Sequence, residues 1–313
     1  MPKNITISIV APIYGVENYI EQFAESVLSQ SYPHIEFIFV NDGTKDRSIE
    51  ILEGVIDKQY SHLRDQIKIV HKANGGLPAA RVTGLEHVTG DYVYHVDSDD
   101  WLSEGSIEKI AAKIAETSAD VVYFNYVKEY PTRSSVKRDR SYSNGAQREF
   151  VRNMYNHCSY SSVWNKCFRR GLYTEHTIYS PKYGYAEDCY VTTQLVGYSK
   201  SIAYLDENVY HYRKGVATAM TGQQRRKRKR EYILNFLDLY LKYKDVPAQH
   251  NPIANIIDDI LIQAGWYSTW YNLDLYSEFE WLAAAVRGAK IRGGGSDVPL
   301  VAQIITKIVA LWK

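Results

Sequence analysis

Gly90-Asp91-Tyr92-Val93-Tyr94-His95-Val96-Asp97-Ser98-Asp99-Asp100-Trp101 is the stretch on which the reading of the fold turns. Through Val96 it has the aromatic and β-branched character of a strand. It then places three carboxylates, Asp97, Asp99 and Asp100, within four residues. Like charges that close repel, so their joint ionisation needs a counter-charge. A hard divalent cation with oxygen ligands, Mn²⁺ or Mg²⁺, suits Asp97 and Asp99, which flank Ser98 in an expected turn. The plainer alternative is an acidic loop before a helix that starts near Ser103.

The residues upstream favour a strand-end site. Ile5 to Ala11 is an apolar run expected to form a buried parallel strand, stopped by Pro12 and Tyr14-Gly15. A helix carrying Tyr19, Ile20, Phe23, Val27 and Leu28 on one face follows, and then a strand from Ile35 to Val40. Strand, helix and strand make a right-handed βαβ unit. The second strand runs into Asn41-Asp42-Gly43-Thr44-Lys45-Asp46, which places Asp42 where ligands of open parallel sheets bind. Its competing role is a turn capping the helix of Ile49, Leu52, Val55 and Ile56. A third strand, Ile67 to His71, leads to Asn74-Gly75-Gly76-Leu77-Pro78-Ala79-Ala80-Arg81. There Gly75 and Gly76 offer backbone N–H groups beside the ligand edge at a helix start. This is neither GxGxxG nor a Walker loop, so a dinucleotide cofactor and a P-loop are unsupported. A helix from Ser106 to Ala115 and a fifth strand from Val121 to Val127 complete an α/β pattern.

The 313 residues suit about two domains or one elaborated domain. A net charge of +1 gives no general attraction to nucleic acid. Three cysteines, Cys158, Cys167 and Cys189, lack CxxC spacing and indicate neither a disulfide framework nor a zinc site. A cytoplasmic setting is expected, without signal peptide or spanning helix. The 27 tyrosines suit sugar and base binding as well as ordinary cores.

Four segments in order resemble glycosyltransferase family 2, the inverting enzymes of GT-A fold: Val10-Ala11-Pro12-Ile13-Tyr14, Val40 to Asp46, Asn74 to Arg81, and Val96 to Trp101. The resemblance covers about residues 4–130, and more weakly continues to about 220. It implies a Rossmann-like, mostly parallel central sheet flanked by helices, with a helical C-terminal extension. It also implies a nucleotide-sugar donor. Pro12 and Tyr14 would line the base pocket, Asp42 would accept from the uracil N–H, and Arg81 would hold the nucleotide. Asp97 would hold ribose or assist the metal, and Asp99 would be the principal ligand of Mn²⁺ or Mg²⁺ bridging to the diphosphate. The chain departs from the family habit at Gly15, Asn41 and Val82.

The implied domains are a GT-A catalytic domain over 1–220, with a nucleotide-sugar-binding half over 1–130 and an acceptor half over 131–220, and a helical extension over 221–313. Residues 128–145 read as an exposed polar excursion, and Gln147 to Tyr155 as a helix. Trp164 is expected to stack on a sugar or to sit in the core. Tyr185-Ala186-Glu187-Asp188 resembles the family's Glu-Asp segment at a helix head. Inverting transfer needs a base for the acceptor hydroxyl. Asp188 is the expected base, with Glu187 contacting the acceptor or steadying the metal shell; an acidic pair favoured by the helix dipole is the alternative. In Val209-Tyr210-His211-Tyr212-Arg213-Lys214, His211, Arg213 or Lys214 would neutralise the departing diphosphate.

Arg225 to Arg230 is a basic run heading a helix with Ile233, Leu234, Phe236, Leu237 and Tyr240, suited to phosphate or anionic lipid or to plain solvation. Further helices are expected over Ile253 to Tyr271 and Leu273 to Arg287, then a Gly293 to Gly295 joint. The apolar tail Val298 to Lys313 would lie in a membrane interface, on the domain or on a second copy. The expected activity is transfer of a sugar, from a UDP-sugar, onto a saccharide or lipid-linked saccharide at the inner face of the cell membrane. Two rivals stand beside it. A nucleotidyltransferase would want a Gly-rich, Arg/Lys-bearing segment after the first strand, which Pro12 to Glu17 lacks. A non-catalytic nucleotide-sugar-binding module would keep the pocket alone. Nucleic-acid binding through the basic run lacks a motif.

Overall fold

The fully buried strand β1 (Ile7–Ile13) is the axis of the sheet, with β2 (Ile35–Asn41) parallel on one side and β4 (Tyr92–His95) parallel on the other. The computed structural model describes residues 4–138, 150, 161–215, 225–247 and 250–254. Beyond β2 lies β3 (Ile67–His71), also parallel. Three helices make the crossovers: α1 (Ile20–Leu28), α2 (Ser48–Gln59) and α3 (Leu77–Leu85). Alternation along β1 divides the core. Ile7, Ile9, Ala11 and Ile13 pack with Phe23, Val27, Leu52 and Ile56, whereas Val10 joins Ile38, Val40, Ala80 and Val93 on the opposite face. Helices thus cover both faces, as a parallel sheet requires.

Pro12 does not end the first strand. Its carbonyl faces the β4 side, where it accepts from Ser98 Oγ at 2.6 Å. The N–H that proline lacks would face that side too, past the last β1–β4 pairing at Val10 and His95. No ladder bond is lost, which is the condition under which proline enters a strand.

After β4 come β5 (Trp101–Leu102), α4 (Ser106–Thr117), β6 (Val121–Tyr130), β7 (Arg133–Lys137), β8 (Lys166–Arg169), a short α5 (Gly171–Thr174), α6 (Glu187–Tyr198), β9 (Ile202–Arg213) and α7 (Arg225–Tyr243). The described sheet has nine strands in the order β3-β2-β1-β4-β8-β6-β9-β5, with β7 on β6. The parallel character holds for the first four strands. The second half is mixed: β8 is antiparallel to β4 and β6, β7 to β6, and β5 to β9, while β6 and β9 are parallel. The polar segment after β6 folds back as the β6–β7 hairpin, with Lys128 opposite Ser135. The expected helix over Gln147 to Tyr155 lies outside the described residues apart from Phe150, whose ring is 5.1 Å from that of Tyr123. The helices expected after Ile253 and the tail Val298 to Lys313 also lie outside them, save Ile253 and Ala254.

The chain divides into two compact units, Met1–Ser180 with Val191–Gly222, and Pro181–Tyr190 with Gln223–Lys313. In the second unit, α7 buries Ile233, Leu234, Phe236, Leu237 and Leu239. Its Asn235 donates to the carbonyls of Tyr183 (3.0 Å) and Tyr185 (2.9 Å). Among the described residues no helix is long and apolar enough to cross a membrane.

Candidate active site

Asp42, at the carboxyl end of β2, is 2% exposed. One of its oxygens accepts from Lys72 Nζ at 2.6 Å and from the Gly75 N–H at 2.9 Å. The other accepts from the Gly76 N–H at 2.8 Å. The carboxylate therefore holds the glycine loop at the head of α3, a role the sequence did not disclose, and Lys72 was not singled out. Gly43 makes the approach possible. It sits at φ +68°, and a Cβ there would lie 2.8 Å from the Asn74 nitrogen, so any side chain collides with backbone.

The loops after β1 and β2 are tied together. The Gly15 N–H donates to Thr44 Oγ1 (2.9 Å), the Val16 N–H to Ser48 Oγ (3.1 Å) and the Glu17 N–H to Asp46 (3.0 Å). Burial works to raise the Asp46 carboxyl, but hydrogen bonds from Ser48 and Thr44 outweigh it and hold it below the usual range. Tyr14 projects from this frame, 55% exposed beside the buried Pro12 end of the strand. Gly15 has φ +68° with open space where a Cβ would stand, so asparagine, which tolerates that region, would suit it as well.

Arg81, one turn into α3 and nearly buried, donates to Asp97 Oδ1 at 2.8 Å. The three aspartates of the turn after β4 differ sharply. Asp100 is fully buried, accepting from the Tyr210 hydroxyl (2.7 Å) and the Arg213 N–H (2.7 Å). Burial, then the charges of Asp99 and Asp97, raise its carboxyl well above the ordinary carboxylate range. Asp97 is half-buried; its N–H donates to the Tyr210 hydroxyl at 3.2 Å. Asp99 is half-buried, and burial followed by the charge of Asp97 pushes its carboxyl up to about 6. Tyr210 thus fixes two members of the turn from a distant strand; sequence alone gave no signal for it.

Arg213 locks the outer side of this turn. Its Nε donates to the Asp99 carbonyl at 2.8 Å, and its guanidinium lies 4.6 Å from the Trp101 ring centre and 5.0 Å from that of Tyr19. His211 stacks on Trp101, with Nδ1 2.8 Å from Glu129 and Nε2 3.0 Å from Ser103 Oγ. Both ring nitrogens therefore face protein groups. Trp164 is 5% exposed and stacked on Tyr210 at 4.6 Å, so of its two expected places it takes the core.

Asp42, Gly75 and Gly76, Arg81, Asp97 and Asp99 thus gather at the carboxyl ends of the four parallel strands, where open α/β sheets bind ligands. The sequence model described as "Glycosyl transferase family 2" matches residues 8–177, which contain all of them. The chain belongs to glycosyl transferase family 2. Among its relatives are glycosyltransferase GlyA of Streptococcus pneumoniae serotype 4, 31% identical over 66% of this chain and 30% of the relative, and the uncharacterized glycosyltransferase EpsJ of Bacillus subtilis, 30% identical over 66% of this chain and 60% of the relative. The matches thus span less than two thirds of either relative. Among solved structures, Staphylococcus aureus TarS 1–349 in complex with UDP-GlcNAc is similar with a TM-score of 0.65 and 22% identity, over 91% of this chain and 79% of that one. The mannosyltransferase PcManGT from Pyrobaculum calidifontis, in complex with GDP-Man and Mn²⁺, reaches 0.53 at 16% identity, over 100% and 83%. These likenesses establish the GT-A-like mixed α/β fold.

A cation in this family 2 chain would meet a sparse protein site: among the described residues no three His, Cys, Asp or Glu side chains cluster as ligands. The chemistry of Asp99 nevertheless fits one. Its carboxyl is raised by burial and a like charge, and no described side chain donates a hydrogen bond to it. A cation held by one or two carboxylates, with phosphate oxygens and water completing its shell, is the usual Mg²⁺ arrangement.

The acidic pair belongs to the second unit, in the first turn of α6. Glu187 is buried and Asp188 half-buried. Ala186 before them has φ +62°, a left-handed conformation costing a non-glycine residue about 1–3 kcal/mol. It is bracketed by bonds to α7: Tyr183 and Tyr185 engage Asn235, and the Tyr190 hydroxyl donates to Asp238 at 2.7 Å.

Proposed function

We propose that this family 2 protein transfers a sugar from a nucleotide-sugar donor, a UDP-sugar, to an acceptor hydroxyl with inversion, in synthesis of a bacterial surface polysaccharide or lipid-linked oligosaccharide. The observation that carries this is the gathering of Asp42, Arg81, Asp97 and Asp99 on one strand edge. The named complexes of TarS with UDP-GlcNAc and of PcManGT with GDP-Man and Mn²⁺ support the donor class.

In this reading residues 1–130 hold the donor and 131–220 the acceptor, with residues 221–313 an extension. Tyr14 and Pro12 flank the base. A carboxylate offers about four acceptor directions, and Asp42 uses three on Lys72, Gly75 and Gly76. The fourth takes a base N–H. Arg81 holds Asp97 toward the nucleotide. Asp99 and Asp97 would hold a divalent cation, Mn²⁺ or Mg²⁺, which would supply charge neutralisation to the diphosphate. Arg213 stands beside it, positioned by Trp101 and Tyr19, with His211 stacked on Trp101. Asp188 takes the proton of the attacking hydroxyl while Glu187 contacts the acceptor, in one displacement without a covalent enzyme intermediate.

The test is release of UDP from UDP-sugars in the presence of Mn²⁺. Wild type is expected to release it and Asp99→Ala to lose the activity. Binding of the donor by wild type with no turnover on any acceptor would leave a binding module instead.

A further inference from the structure

Two lysines on the β6–β7 part of the sheet, Lys128 and Lys137, have no role in the site described above, and a third, Lys214, was expected there only as one alternative to His211 and Arg213. Register sets Tyr126 opposite Lys137 on β7 and opposite Tyr210 on β9, and Lys128 opposite Tyr212. Residues opposite one another in paired strands share a face, so Lys128, Lys137, Tyr126 and Tyr212 stand together. Lys214 joins them: its Nζ lies 4.0 Å from the Tyr212 ring centre, and Lys128 Nζ lies 5.9 Å from that of Tyr126. Beneath, Tyr212 packs on Trp164 at 5.1 Å, so the aromatic layer is part of the rigid core.

Among the described residues the positive charge has no paired carboxylate: none of the three lysines forms an ion pair. Glu129 alternates to the other face, where it pairs with His211. Asp100, the acid closest in effect to Lys214, is already taken by Tyr210 and the Arg213 N–H. All three lysines are half-buried. Burial, then the charge of Lys137, lowers the Lys128 ammonium; burial, then Lys128, lowers that of Lys214, with Asp100 acting the other way. Like charges held together at such a cost suit an anion with several acceptor oxygens.

The cluster stands outside the block of four parallel strands and beside the turn that follows β4. β9 takes one edge of β6 from Val121 to Glu129, so β7 shares the other edge with β8 and stands in line with it, one strand from β4 and three from β2. At a strand spacing near 4.8 Å these are lateral separations of about 5 and 14 Å. Lys137 is thus three strands to the side of Asp42, while Lys214 follows directly on Arg213.

We propose that Lys128, Lys137 and Lys214 bind a phosphate group carried by the saccharide acceptor, so that the acceptor is a sugar phosphate or sugar-phosphate polymer. This rests on the glycosyl-transfer reading, and the experiment separates the two. UDP with Mn²⁺ is first titrated into wild type and into a Lys128→Gln/Lys137→Gln variant by calorimetry. Glucose 6-phosphate, or neutral glucose, is then titrated into the UDP-saturated proteins. The expected result is equal UDP affinity in both proteins, at least tenfold tighter binding of glucose 6-phosphate than glucose by wild type, and loss of that preference in the variant. Lys128→Arg/Lys137→Arg is expected to retain it. Equal binding of both sugars by wild type, or a preference that survives in the glutamine variant, overturns the proposal. A parallel loss of UDP affinity also overturns it, since the lysines would then serve the donor diphosphate. Failure of wild type to bind UDP would instead refute the donor site itself.

Discussion

Replacing Asp99 by Asn tests whether this carboxylate is kept in a costly ionised state for a cation. Its carboxyl rises from 3.8 to about 6 on folding, through burial and the charge of Asp97. The sign follows from the proton count. Between those values the folded chain keeps a proton that the unfolded chain has released. Stability is therefore intact below pH 3.8, falls as pH rises toward 6, and stays lower above it. The loss is about 3 kcal/mol at pH 7.5, at 1.36 kcal/mol for each unit. At pH 5 the same linkage gives about 1.6 kcal/mol. Asparagine does not titrate, so metal-free Asp99→Asn should gain on wild type by about 1.4 kcal/mol between pH 5 and 7.5. Removing the charge also relieves Asp100, which adds in the same direction. Urea unfolding in EDTA at the two pH values measures the gap. Mn²⁺ with UDP should then stabilise wild type, as any ligand of the native state does, and stabilise the variant far less. A gap independent of pH, or equal stabilisation of both proteins by Mn²⁺ and UDP, would refute the reasoning.

Asp188→Asn should keep donor binding in calorimetry and lose at least about 100-fold in transfer, the usual contribution of a general base; unchanged transfer moves the base elsewhere. Tyr210→Phe removes the hydroxyl that serves both Asp100 and the Asp97 N–H, and should cost about 1–3 kcal/mol in denaturant unfolding. Gly43→Ala should cost about 1–3 kcal/mol and weaken UDP binding, because its Cβ would meet the Asn74 nitrogen at 2.8 Å; a donor affinity equal to wild type would contradict the close packing of the two loops.

Much of the site was legible before the fold was known, because its residues sit in short segments just after strands. Parallel strands buried on both faces read as apolar runs, and the polar residues that interrupt them mark the ligand edge. Asp42, Arg81, Asp97 and Asp99 were found this way. The hairpin after β6 was not, since its strand β7 is polar and mostly exposed and carries no alternation of its own.

What the sequence by itself determined is therefore the local matter: the βαβ order, the four strand-end segments and the family to which they belong. Tertiary structure decided how the three neighbouring aspartates divide. Asp100 is drawn into the core by Tyr210 from 110 positions away, Asp97 is taken by Arg81, and Asp99 is left half-buried with no described side chain donating a hydrogen bond to it. It also decided that Asp42 clasps the glycine loop, that Trp164 is core, and that three lysines distant in sequence stand together. Each of these depends on which strands lie side by side and in what register, and local composition carries no record of that pairing.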